Sequence, residues 1–150
     1  MRPAELPAVR AMEPDTTPRP GTVTSAVIYS RVFPGRTDRI REVRATLGRA
    51  LADLPMADDV VLTASELGTN AVMHSRSREP GGRFIVRAEL FAGDYLWLEV
   101  EDGGGPWTQR SRSDVGGRGL AIVAAVSSEW GVEGDALARV VWARFDWPDR

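Results

Sequence analysis

The sequence predicts an α/β two-layer sandwich: a mixed, mostly antiparallel sheet covered on one face by about three helices. Three observations carry that prediction. Phe84, Val86, Ala88 and Leu90 alternate along one run, Leu96, Leu98 and Val100 along the next, and Ala92-Gly93-Asp94 between them reads as the turn of an antiparallel hairpin. Two earlier stretches place apolar residues at helical spacing, Ile40 to Leu54 and Val60 to Ala71. A late Ala-rich stretch, Leu120 to Val126, reads as a buried third helix, and two further β-rich runs follow it. Elements with a single apolar face must bury it against another layer.

Composition bounds the chemistry. With 150 residues and 43% hydrophobic content the chain fits one domain. Its net charge of −2 supplies no global basic field for nucleic acid, so direct nucleic-acid binding is not expected. All 19 basic residues are Arg; the absence of lysine excludes a Walker A loop and a Schiff-base lysine. The absence of cysteine excludes disulfides and thiolate chemistry. With His74 the single histidine, a His-pair metal site is excluded as well. No apolar run reaches the ~20 residues of a membrane span and no signal-peptide core is visible, so the protein is expected off the membrane and in the cytoplasm.

In chain order, residues 1–21 are rich in proline and poor in large apolar side chains, which predicts a disordered tail ahead of a domain over 22–147. Thr22 to Phe33 reads as a first strand, closed by Pro34-Gly35. Thr37 or Asp38 is positioned to cap a helix bearing Ile40, Val43, Leu47, Ala50, Leu51 and Leu54, with Pro55 as its stop. Residues 1–50 hold nine Arg and five acids, a balance explained equally by a solvated helix face or a partner surface. Asp58 and Asp59 suit the start of a second helix, expected to run to about Ser75. Arg76 to Gly82 reads as a loop, followed by the hairpin, the third helix, and strands over Glu129–Val132 and Val140–Trp147. If Phe84, Val86, Leu96 and Leu98 face the core, Ile85 and Trp97 face away, and Trp142 joins them. An uncovered face with two tryptophans would suit a homodimer or a protein partner.

Within the second helix Glu66, Asn70 and His74 fall on one face, beside the apolar stripe of Val60, Ala64, Leu67 and Ala71. Downstream, Asp102 ends a strand and enters Gly103-Gly104-Gly105, where positive φ and close approach of a flat ligand are allowed. Gly116, Gly117 and Gly119 precede the third helix, whose free N–H groups favour an anion such as phosphate. Each piece has an ordinary alternative: solvated Glu and Asn, a strand-end turn, a loop. Taken together in order they describe one site, with a carboxylate as base, an amide oxygen for Mg²⁺, a carboxylate for an adenine amino group, and backbone donors for phosphates.

Glu66-x-x-x-Asn70, Asp102 with its glycines, Gly117-Arg118-Gly119-Leu120, Trp130-Gly131 and Val141-Trp142-Ala143 resemble the histidine-kinase-like ATPases of the Bergerat fold. More narrowly they resemble the stand-alone bacterial anti-sigma-factor serine/threonine kinases. The resemblance covers about residues 22–147. It implies ATP and Mg²⁺ as cofactors, and a sigma factor and an anti-sigma-factor antagonist as partners. It also implies Glu66 as general base, Asn70 as Mg²⁺ ligand, Asp102 with Gly104 at the adenine, and Gly117, Arg118, Gly119 and Leu120 at the phosphates. His74 matches a histidine frequent in that helix and is expected to be a hydrogen-bonded structural residue. Two positions depart from the pattern: Pro106 stands where the glycine-rich motif has glycine, and Ala138-Arg139 stands where Gly-Lys is common. The lone histidine argues for stand-alone action rather than a complete sensor histidine kinase. The competing reading is a non-catalytic nucleotide-binding or sigma-binding module.

Overall fold

The computed structural model describes residues 24–105 and 115–148, with the main chain alone for 115–118. Its strands are β1 (Ser25–Pro34), β2 (Arg83–Phe91), β3 (Tyr95–Asp102), β4 (Glu129–Gly134) and β5 (Arg139–Asp146). Its helices are α1 (Ile40–Ala50), α2 (Ala57–His74) and α3 (Val115–Val126), with 3₁₀ turns at Thr37–Arg39 and Arg76–Arg78. The strands form one sheet in the order β1-β2-β3-β5-β4, and all four pairings are antiparallel. The expected tail over 1–21 and Pro106 lie outside the described residues.

Alternation sets the register. Val86 pairs with Val100, Ala88 with Leu98 and Leu90 with Leu96, so one face of the hairpin is apolar throughout. That face meets Val43 and Leu47 of α1, Val60, Ala64, Leu67 and Ala71 of α2, and Leu120 and Val123 of α3 in one buried cluster. A bulge between Val27 and Tyr29 turns the second half of β1 so that Tyr29 and Phe33 join this core. Tyr29 then bonds through its hydroxyl to Thr46 of α1 at 2.6 Å.

Several boundaries differ from expectation for identifiable reasons. Neither Thr37 nor Asp38 caps α1; both belong to the 3₁₀ turn, where the Thr37 carbonyl accepts the Ile40 N–H and takes over part of a cap's role. Helix α1 also stops at Ala50, before Pro55, because Leu51 leaves helical conformation while its side chain stays fully buried as an anchor. Helix α3 begins at Val115, not Leu120, so Gly116, Gly117 and Gly119 lie inside it instead of ahead of it.

The register of the outer sheet face is as expected, but its exposure is not. Trp97 and Trp142 do turn away from the helices, yet they are only 8% and 4% exposed. Their rings stack on each other at 4.4 Å, and the Trp97 N–H donates to Glu99. The ring stack and the Glu99 carboxylate two residues along the same strand thus help to cover what was expected to be an open patch.

Candidate functional site

The expected site residues fall in two places, on α2 where α3 crosses it and at the end of β3, and each place is built by packing. On α2, burial of Val60, Ala64, Leu67 and Ala71 fixes the helix rotation and leaves Glu66 and Asn70 half-buried on the neighbouring stripe. Helix α3 crosses α2 there through Gly119, which is itself buried. A Cβ added to Gly119 would lie 3.0 Å from Glu66 Oε2, 3.5 Å from Asn70 Nδ2 and 3.7 Å from Asn70 Oδ1. The carboxylate and the carboxamide therefore converge on one point, over a glycine that itself puts no side chain in the way.

Gly117 belongs to the first turn of α3, whose main-chain N–H groups have no partner within the helix. Gly119 and Leu120 come after the first four residues, and Leu120 is a core residue at 7% exposure. The side chain of Arg118 lies outside the described residues. His74 closes α2, and its Nε2 is buried with no hydrogen-bond partner among the described residues, so the expected bond is not found there.

In the second place, Asp102 is the last residue of β3 and pairs in register with Arg139, the first of β5. It is buried, with 6% exposure. Its Oδ1 accepts the Gly104 N–H at 2.7 Å, and its Oδ2 accepts Arg139 Nη2 and Nε at 3.2 and 3.3 Å. Burial pushes the Asp102 carboxyl above its ordinary value, and the Arg139 charge and the Gly104 N–H only partly pull it back. Gly104 adopts φ +72°, and a Cβ there would stand 2.7 Å from the Ala136 carbonyl. Its glycine is thus required by the turn between β4 and β5, independently of any ligand.

Sequence reasoning missed the fastening between the end of α2 and the loop after Asp102. The Ser75 hydroxyl accepts the Ser77 N–H and donates to the Ala71 carbonyl, which folds the 3₁₀ turn back against the end of α2. Ser77 Oγ then accepts the Gly103 N–H at 2.9 Å, and the Arg76 N–H donates to the Gly104 carbonyl at 3.1 Å. The helix with Glu66 and Asn70 is tied in this way to the loop that follows Asp102. Ser75-x-Ser77 at a helix end is a known turn pattern and was the available signal. For Arg139 no local signal exists.

Among the described residues no cluster of three or more His, Cys, Asp or Glu could hold a metal by itself. Mg²⁺ is commonly held by one or two protein oxygens with phosphates and waters supplying the rest, and the Asn70 amide oxygen beside Gly119 fits that pattern. Among the same residues no helix is long and apolar enough to cross a membrane.

No curated protein sequence matches the chain. Among solved structures it is similar to the crystal structure of the RsbU and RsbW domains of Rv1364c from Mycobacterium tuberculosis, with TM-score 0.60 and 22% identity. The match covers 81% of this chain and 34% of that one, so this chain spans about a third of that length. A likeness at this identity speaks for the fold. The family model for the histidine kinase-like ATPase domain matches residues 33–145, most of the chain, and the protein therefore belongs to that family.

Proposed function

We propose that the protein is an ATP-binding anti-sigma factor with serine/threonine kinase activity toward an antagonist protein. The observation that carries the proposal is the convergence of Glu66 and Asn70 on Gly119, which has no side chain to stand between them. Family membership supports ATP as the nucleotide, and the RsbW domain in the similar structure supports an anti-sigma-factor role. In this reading Asp102 accepts the adenine amino group and the first turn of α3, with Gly117, donates N–H groups to the phosphates. Mg²⁺, when bound, would neutralise charge developing on the transferring phosphoryl group.

Glu66 takes the proton from a serine or threonine hydroxyl of the antagonist as that oxygen bonds to the γ-phosphorus and the bond to the β-phosphate oxygen breaks. ADP leaves, and Glu66 is left as the carboxylic acid. General-base catalysis of this kind is worth ~10²–10⁴-fold. The test is incubation with labelled ATP and candidate antagonists. Glu66→Gln should retain Mg-ATP and sigma-factor binding while transfer falls by that order, and Asn70→Ala should weaken Mg²⁺-dependent nucleotide binding itself. Undiminished transfer by Glu66→Gln removes Glu66 as the base; nucleotide binding with no transfer to any antagonist leaves the non-catalytic module as the reading.

A further inference from the structure

The Asp102–Arg139 pair joins the ends of two neighbouring strands, and both partners are buried, at 6% and 7% exposure. Stability gives little reason for it: a well-packed apolar pair commonly does as well as a buried ion pair. Its geometry is more informative. An ionised carboxylate offers about four acceptor directions. Asp102 Oδ2 receives two donors from the Arg139 fork, and Oδ1 receives one from Gly104. One direction remains, on Oδ1.

We infer that Arg139 is a positioning residue for base recognition, which by occupying Oδ2 leaves Asp102 a single acceptor direction, on Oδ1, for the exocyclic 6-amino group of a purine nucleotide. The inference rests on the reading of Asp102 as the adenine contact. A lone carboxylate can turn about its terminal torsion and present either oxygen. Held by three donors, it can present only one edge, which favours a 6-amino purine over a 6-oxo purine, whose oxygen would face a carboxylate oxygen. The Arg139 charge also offsets part of the burial that disfavours the ionised Asp102 carboxylate. Among the described residues, other charged groups near it are Glu101, its neighbour on β3, and Arg76, packed against Gly103 and Gly105.

Equilibrium binding of Mg-ATP and Mg-ITP to the full chain, between about pH 5 and pH 8, tests this with Arg139→Gln, Arg139→Lys and Asp102→Asn. Wild type should prefer ATP. Arg139→Gln should lower ATP affinity about tenfold, the weight of one charge-assisted hydrogen bond, and narrow the ATP-to-ITP ratio. Its ATP affinity should also decline with falling pH from a higher midpoint than wild type, because the cation that favours the charged carboxylate is gone. Arg139→Lys should return that midpoint toward wild type but not the ratio, since an ammonium lacks the planar fork. A purely structural role would weaken both nucleotides equally and move no midpoint; an unchanged ratio in Arg139→Gln overturns the inference. Should circular dichroism show Arg139→Gln unfolded, Arg139→Lys decides: a narrowed ratio supports the inference and a wild-type ratio overturns it. If wild type binds no ATP, or Asp102→Asn keeps the full preference, the reading of Asp102 itself fails and the inference goes with it.

Discussion

A methyl group added at Gly119 should separate stability from chemistry. The new Cβ would meet Glu66 Oε2 at 3.0 Å, closer than ordinary contact, and Glu66 is half-exposed enough to swing aside. Alanine in a helix is favoured over glycine by about 0.8–1.0 kcal/mol. Gly119→Ala should therefore keep or raise the melting temperature while phosphoryl transfer falls, toward about 10²-fold as the displacement of Glu66 nears ~1 Å. A melting temperature that drops together with activity would mean that α3 itself has moved. Asp102 carries a second residue-level expectation, with a definite sign. Folding raises its carboxyl value, so its contribution to stability is full below the unfolded-state value and is lost as pH rises through the folded one. Denaturant titrations over about pH 3–7 should show the stability of wild type relative to Asp102→Asn declining as pH rises. A difference that grows with pH would contradict the burial argument.

Among the elements, α2 sits close to two neighbours, because Gly68 lets it approach both. A Cβ at Gly68 would lie 3.0 Å from Ile40 Cδ1 of α1 and 3.4 Å from the Phe84 ring of β2. Gly68→Val should cost about 1–3 kcal/mol through overpacking, read as a lower denaturant midpoint at unchanged slope. An unchanged midpoint would show that α1 yields at no cost. The core around α2 was legible in the sequence because burial imposes periods: the stripe of Val60, Ala64, Leu67 and Ala71 and the alternation of the β2–β3 hairpin are both as expected. The start of α3 was not legible, since Gly116, Gly117 and Gly119 are poor helix formers and the contact of Gly119 with α2 is absent from any local window. Glu66 and Asn70 could be paired from spacing alone, being one helical turn apart. Ser77 and Arg139 could not, for their partners lie 26 and 37 residues away and depend on how the sheet and the 3₁₀ turn meet.

For the molecule as a whole, the open question is what its helix-free sheet face does. Two tryptophans on that face invited a homodimer, but the chain largely covers them itself. Trp97 and Trp142 lie parallel within 8°, Arg87 bridges Glu99 and Glu101, and Arg144 sits over the Tyr95 ring at 4.7 Å. Trp142 fits because Gly131, opposite it on β4, has no side chain; a Cβ there would be 2.8 Å from three indole atoms. The tryptophan pair, closed in this way, has little apolar area left to bury against a partner, and the apolar area still open on this face is at its β1 edge, where Val27 and Val32 are 63% and 55% exposed. Gly131→Ala should thus act within one chain: the Trp142 ring is pushed outward, tryptophan emission shifts to the red, and stability drops by about 1–3 kcal/mol. Sedimentation should give the same mass for the variant as for wild type. If Gly131→Ala instead halves the mass with the fold's stability unchanged, the stacked tryptophans belong to an interface between two copies, and the cover supplied by Arg87, Glu99 and Arg144 is only the rim of that contact.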